Sequence, residues 1–304
     1  MTSDELQQLR REKWRLNGNP VRTLDDAREF IDSVGFCLMY PLQPPVLLPT
    51  FAGAWNGNDK DLHQARQAFA DPGTHEAAEL INQLLRNHLV FESNLFAENT
   101  LLLSPSVLPF FYALVGPRTP GKEQSGGEPL SQSGRLAWNI FQHEGPLSGE
   151  QLQQRLGSDL SLSGVDRALG ELWMRLHIVP VDHANGGLWE SLQRWEPDAV
   201  REGSRMSAAS ALSALISQYL ECVIAAEQNE LDDLFSHLVP RSKVKQSVNA
   251  MLAARQFALV NVEHHALVQV TAPHAPREAQ QQSEIDAHRA ARQQRRAKSE
   301  RRPA

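Results

Sequence analysis

Residues 240–270 read PRSKVKQSVNAMLAARQFALVNVEHHALVQV, and this stretch decides the fold. In its first half Val244, Val248, Met251 and Leu252 recur at three- and four-residue spacing, which predicts a helix over 240–254 with one apolar face. Its second half places two apolar, β-branched runs, 257–262 and 266–270, on either side of Glu263, His264 and His265. That pattern predicts a hairpin with the three polar residues at its tip. Upstream, the apolar spacing predicts a long helix over 207–226 and a short one over 229–235. Three helices closed by a hairpin is the plan of a winged helix-turn-helix.

The same order of elements comes once before. An apolar helix at 136–141 leads through Pro146, Leu147 and Ser148 to a second helix at 149–156. A third helix over 162–176 carries Leu162, Val165, Leu169, Leu172, Trp173 and Leu176 on one face. The runs 178–181 and 187–189 then flank a turn-rich segment, 182–186, suited to another hairpin.

Nearer the N-terminus, Thr23 is an N-cap for a helix whose apolar face is Leu24, Ala27, Phe30, Ile31 and Val34, and Gly35 ends it. The run 36–40 is too short for a helix between Gly35 and Pro41 and reads as a buried strand. Further helices are expected at 62–69 and 75–87, an extended segment at 89–96, and a short helix at 104–114 opened by Pro105. Pro117, Pro120, Gly121, Gly126, Gly127 and Pro129 crowd together with serine and glutamine as in a linker. The expectation is a mainly α protein with small β-hairpins. It comprises an N-terminal helical domain over 1–115, a linker at 116–133, winged helices over 134–202 and 203–271, and a tail from 272.

The 304 residues carry a net charge of −6, placed unevenly. Residues 273–304 hold eight Arg or Lys against four acids, so this tail is +4 and the rest of the chain −10. The tail has no aromatic residue and cannot build a core, which predicts disorder or a lone helix. Two cysteines, Cys37 and Cys222, exclude a disulfide framework and a multi-cysteine metal site. A polar N-terminus and an apolar stretch broken by Ser104, Pro105 and Pro109 argue against a signal peptide and a membrane span, so a cytoplasmic protein is expected.

Nucleic acid is the partner this pattern suggests. In the second helix-turn-helix the third helix carries Arg241, Lys243 and Lys245, with Arg255 just beyond, and no acid between Pro240 and Gln256. Cations of that kind meet phosphates, while Gln246 and Asn249 could read base edges, adenine in particular. His264 and His265 would extend the contact from the wing. Arg289, Arg292, Arg295 and Arg296 would line one side of a tail helix induced on phosphate, adding salt-sensitive affinity. In the first unit Arg167 and Arg175 are balanced by Asp166 and Glu171, so packing against the rest of the protein, backbone contact or a protein partner is expected there. No phosphate-binding glycine loop or zinc-protease motif occurs, His264 and His265 lack a third metal ligand nearby, and no metal or cofactor is expected.

Residues 23–55, centred on Val34-Gly35-Phe36-Cys37-Leu38-Met39-Tyr40-Pro41, resemble the AlkZ-like winged-helix family, founded on bacterial DNA glycosylases that unhook interstrand crosslinks. The order of parts is similar too, a helical N-terminal region followed by tandem winged helices. In the active glycosylases the strand after this helix bears Gln-x-Gln or Gln-x-Asp, whose side chains position the attacking water. The resemblance places those two positions at Leu38 and Tyr40. Leu38 can neither donate nor accept a hydrogen bond, and Tyr40 is a poor general base. The chain is thus similar to the AlkZ-related branch without the catalytic pair, and the expectation is a non-catalytic reader of duplex or damaged DNA acting through the second winged helix and the basic tail, nucleoid-associated if it binds DNA. The alternative is a glycosylase with a relocated active site, for which Gln43, Glu92, Glu98 and Asn99 are the nearest polar residues.

Overall fold

The computed structural model describes residues 1–42, 46–59, 75–96, 99–117, 129–157, 160–184 and 187–271. Helix starts are set by side chains that accept otherwise unpaired backbone N–H groups. Thr2 and Glu5 form a reciprocal capping box on α1 (Ser3–Lys13), and Thr23 and Asp26 form another on α2 (Leu24–Val34). Gly35 ends α2 at φ +78°, a left-handed conformation that favours glycine, and a Cβ there would also press on the Gln218 side chain at 2.5 Å.

Directly after it, β1 (Phe36–Leu38) enters a three-stranded antiparallel sheet. Thr50 caps α3 (Phe51–Asn56), and α4 (His75–Arg86) leads to β2 (Phe91–Phe96) and β3 (Asn99–Leu103). The strand order is β1-β3-β2, with Phe36 opposite Leu103 and Phe91 opposite the same Leu103 on the other side. The apolar helix α5 (Leu108–Val115) follows. The helix expected at 62–69 and most of the expected linker, 118–128, lie outside the described residues. α1, α3 and the central strand β3 were not anticipated from the sequence.

Two helix–hairpin units complete the described chain. The first is α6 (Gln132–Phe141), α7 (Gly149–Leu156), α8 (Leu162–Met174), β4 (Ile178–Asp182) and β5 (Leu188–Ser191). After α9 (Leu192–Trp195) and α10 (Pro197–Arg205), the second is α11 (Ala208–Val223), β6 (Ala226–Glu227), α12 (Gln228–Phe235), α13 (Arg241–Ala253), β7 (Phe257–Val262) and β8 (His265–Val270).

The two units share one register, about 79 residues apart. α7 and α12 start at 149 and 228, and α8 and α13 at 162 and 241. The pairs Ile178↔Ser191 and Phe257↔Val270 close equivalent hairpins, and the bridge Leu147↔Trp189 matches Ala226↔Val268. Even the turn after the third helix repeats: Leu176 and Arg255 both take positive φ, 53° and 58°. There the N–H of His177 reaches Leu172 and that of Gln256 reaches Met251.

One apolar cluster runs through the N-terminal sheet, α2, α5, α10 and the helices of the second unit, from Val21 to Val268. The first unit has its own cluster, built on Phe141, Leu152, Val165, Leu172 and Ile178, while its Leu176, Val179 and Val181 belong to the larger one. A third, small cluster joins Leu6 of α1 to Ala225, Val262 and Leu267, so α1 covers the outer face of the second hairpin. Met1–Val270 forms one compact unit.

Candidate nucleic-acid interface

Within α13 the buried positions are Val244, Ser247 and Val248, which anchor the helix on α11 and α12. The period of 3.6 then turns Arg241, Lys243, Lys245, Gln246 and Asn249 outward, and all five are exposed. Two of the three cations are already engaged by α12. Arg241 Nη2 donates to Asp233 Oδ1 at 2.6 Å, and Lys245 Nζ lies 3.5 Å from Asp232 Oδ2. Lys243 takes part in no ion pair among the described residues. Arg255 is exposed but belongs to the left-handed turn that ends α13, not to its outward face.

At the hairpin the sequence reading needs one correction. Only Glu263 and His264 form the tip, both with positive φ (52° and 100°), the geometry of a two-residue loop that matches strand twist. His265 is instead the first residue of β8, opposite Val262, and its Nδ1 lies 2.7 Å from Glu227 Oε1. Arg289, Arg292, Arg295 and Arg296 lie outside the described residues.

The strand expected to carry the family motif is packed inside. Leu38 is 1% exposed and Tyr40 7%. Leu38 donates its N–H to the Pro49 carbonyl, and Met39 donates to Thr100. Sheet register sorts the neighbours by face: Leu38, Leu101 and Ser93 stand in one row, and Cys37, Leu102 and Glu92 in the next. Because successive side chains alternate, Glu92 leaves the sheet on the face opposite to Leu38. Gln43, Glu98 and the Asn99 side chain lie outside the described residues.

Glu92 belongs to a second polar grouping, where the first unit meets the N-terminal sheet. His183 Nε2 lies 2.8 Å from Glu92 Oε2, and Trp173 Nε1 of α8 donates to the Glu92 carbonyl. Next to it Asp182 Oδ1 accepts from Arg86 Nη2 at 2.7 Å and from Asn82 Nδ2, while Asn82 Oδ1 accepts the His183 N–H. Burial disfavours the charged form of His183, but the charge and hydrogen bond of Glu92, helped by Asp182, outweigh it and raise the His183 pKa above its usual value. The sequence placed Asp182 and His183 in a turn and Glu92 in an extended segment. No local signal joins residues about 90 positions apart.

With this geometry in place, the sequence model of the family described as DNA glycosylase AlkZ-like matches residues 74–296. The chain belongs to the AlkZ-like family. The AlkZ-like match begins after β1 and so does not include positions 38 and 40. Among solved structures the chain is similar to Streptomyces sahachiroi DNA glycosylase AlkZ, with a TM-score of 0.60 and 15% identity over 89% of this chain and 70% of that one. At that identity the likeness speaks for the AlkZ-like fold. None of the curated proteins matches the chain. No helix among the described residues is long and apolar enough to cross a membrane, and no group of three metal-capable side chains occurs among them.

Proposed function

We propose that this AlkZ-like protein is a cytoplasmic DNA reader that grips duplex or damaged DNA through the second helix–hairpin unit, a winged helix, and through its basic tail. The observation that carries the reading is the outward face of α13, where Lys243, Gln246 and Asn249 are exposed, Lys243 is in no ion pair among the described residues, and Lys245 beside them is shared with Asp232 of α12. A basic face of this kind binds phosphate although the body of the chain is acidic, because the field near a surface follows local charge. The burial of Leu38 and Tyr40 favours binding without catalysis through β1.

Fluorescence polarisation on labelled duplex, single-stranded and alkylated DNA at several salt concentrations tests the reading, with alkali cleavage of the alkylated duplex run in parallel. Lys243→Ala is expected to weaken duplex binding and to reduce the slope of log K against log salt by about 1. An unchanged slope would count against α13. Protein-dependent alkali-labile sites would make the protein a glycosylase with a relocated centre. Absence of any DNA binding would move both winged helices to protein partners.

A further inference from the structure

We propose that the junction between the first helix–hairpin unit and the N-terminal sheet is a proton-controlled joint, built from Glu92, His183, Asp182, Asn82 and Arg86. The shared register of the two units supplies the argument. Advancing by 79 residues places His183 level with Val262, Asp182 with Asn261 and Trp173 with Leu252. Both units cover this part of the hairpin with an element of the N-terminal region, but by different chemistry. In the second unit the cover is α1, through the apolar cluster of Leu6, Ala225, Val262 and Leu267. In the first unit Val179 and Val181 join the shared apolar cluster, and it is at Asp182 and His183 that the contacts to α4 and β2 are polar.

Among the described residues the charged groups at His183 include Glu92, Asp182 and Arg86. Glu92 approaches from β2 and is buried, Asp182 precedes His183 in the chain, and Arg86 of α4 is occupied by Asp182. Trp173 of α8 completes the surroundings without charge. Protonated His183 gives Glu92 a charge-assisted hydrogen bond. A neutral ring can keep one hydrogen bond but leaves a buried carboxylate without its countercharge. Because the folded-state pKa of His183 is raised, this contribution is complete below about pH 6.5 and is lost as pH rises through the folded value. The first hairpin therefore loosens on the alkaline side through this joint, which the apolar cover of the second lacks. This inference does not depend on DNA binding.

Hydrogen–deuterium exchange on the full chain between pH 6 and 9, with protection corrected for intrinsic rates, tests the joint. A His265→Gln background is used, because His265 also faces a carboxylate. Protection of Ile178–Asp182 and Leu188–Ser191 is expected to fall with rising pH, by up to about tenfold for each unit by which the His183 pKa exceeds its unfolded value. Phe257–Val262 should hold its protection over the same range. His183→Gln keeps a donor for Glu92 without a titrating proton and should flatten the first profile, as should Glu92→Gln. A flat profile in the background protein, parallel loss in both hairpins, or pH dependence surviving His183→Gln would overturn the proposal.

Discussion

Leu38 and His177 show what one side chain decides. Leu38 ends the β1 ladder in a buried sheet, so Leu38→Gln would place an amide opposite Leu101, in the row that Ser93 completes. The expected cost is about 2–4 kcal/mol of stability, read from the urea midpoint. The double variant Leu38→Gln, Tyr40→Asp is expected to yield no alkali-labile sites, since both positions point into packing. The Nδ1 of His177 is buried without a hydrogen-bond partner, its ring set edge-on to Trp138 at 4.8 Å. Desolvation lowers its pKa to about 4. Below pH 6.5 the unfolded chain binds a proton that the folded chain refuses, so stability falls between about pH 6.5 and 4, by on the order of 3 kcal/mol. Comparing urea midpoints at pH 7 and 5 for wild type and His177→Phe isolates this contribution, which the variant should lack. His183, six residues on, titrates in the opposite sense because it faces a carboxylate.

At the scale of elements, α1 and β3 explain what was hard to read. α1 offers only Leu6 and Arg10 to the interior, too sparse an apolar pattern to mark a packed helix. Its hold comes from Arg10, which donates through Nε to the Val223 carbonyl and through Nη2 to that of Ala225, and from Trp14 Nε1, which donates to Cys222. These carbonyls lie at or just past the end of α11, where the helical ladder no longer supplies donors, although Val223 also accepts the Ala225 N–H. Arg10→Met would keep the apolar stem and remove the side-chain donor from both carbonyls, leaving Val223 its bond from the Ala225 N–H, at an expected cost of about 1–3 kcal/mol in a denaturation measurement. β3 is a central strand buried on both faces, so Leu101, Leu102 and Leu103 form a short apolar run that periodicity cannot assign. The helices of the two units were legible because each carries an apolar stripe and most carry their own cap, such as Ser148 with Gln151.

Over the whole molecule, equivalent positions of the duplicated units sit in different cores. Leu152 and Leu231 are fully buried at matching places in α7 and α12, one in the separate cluster of the first unit and the other in the cluster shared with the N-terminal sheet. Either change to Ala should cost about 2–5 kcal/mol, but with different reach. Hydrogen exchange is expected to show Leu231→Ala loosening β1 and β3 as well as the second unit, and Leu152→Ala loosening the first unit alone. Residues 1–270 accordingly attach the second helix–hairpin unit to the N-terminal region through the shared apolar core, and the first through Val179 and Val181 of that core together with the polar contacts of Asp182 and His183.

From the amino-acid order alone came the mainly helical character, the tandem repetition of helices and hairpin, the basic face of α13 and the resemblance carried by residues 34–41. Caps, apolar stripes and turn residues act within one or two turns of the chain, so they are written locally. Only the tertiary structure decided that Leu38 and Tyr40 are interior, that α12 sets acids beside Arg241 and Lys245, that His265 is a strand residue, and that Glu92 meets His183. Each of those outcomes is a matter of which surface covers which, and burial and pairing are set by segments far apart in sequence that no local pattern encodes.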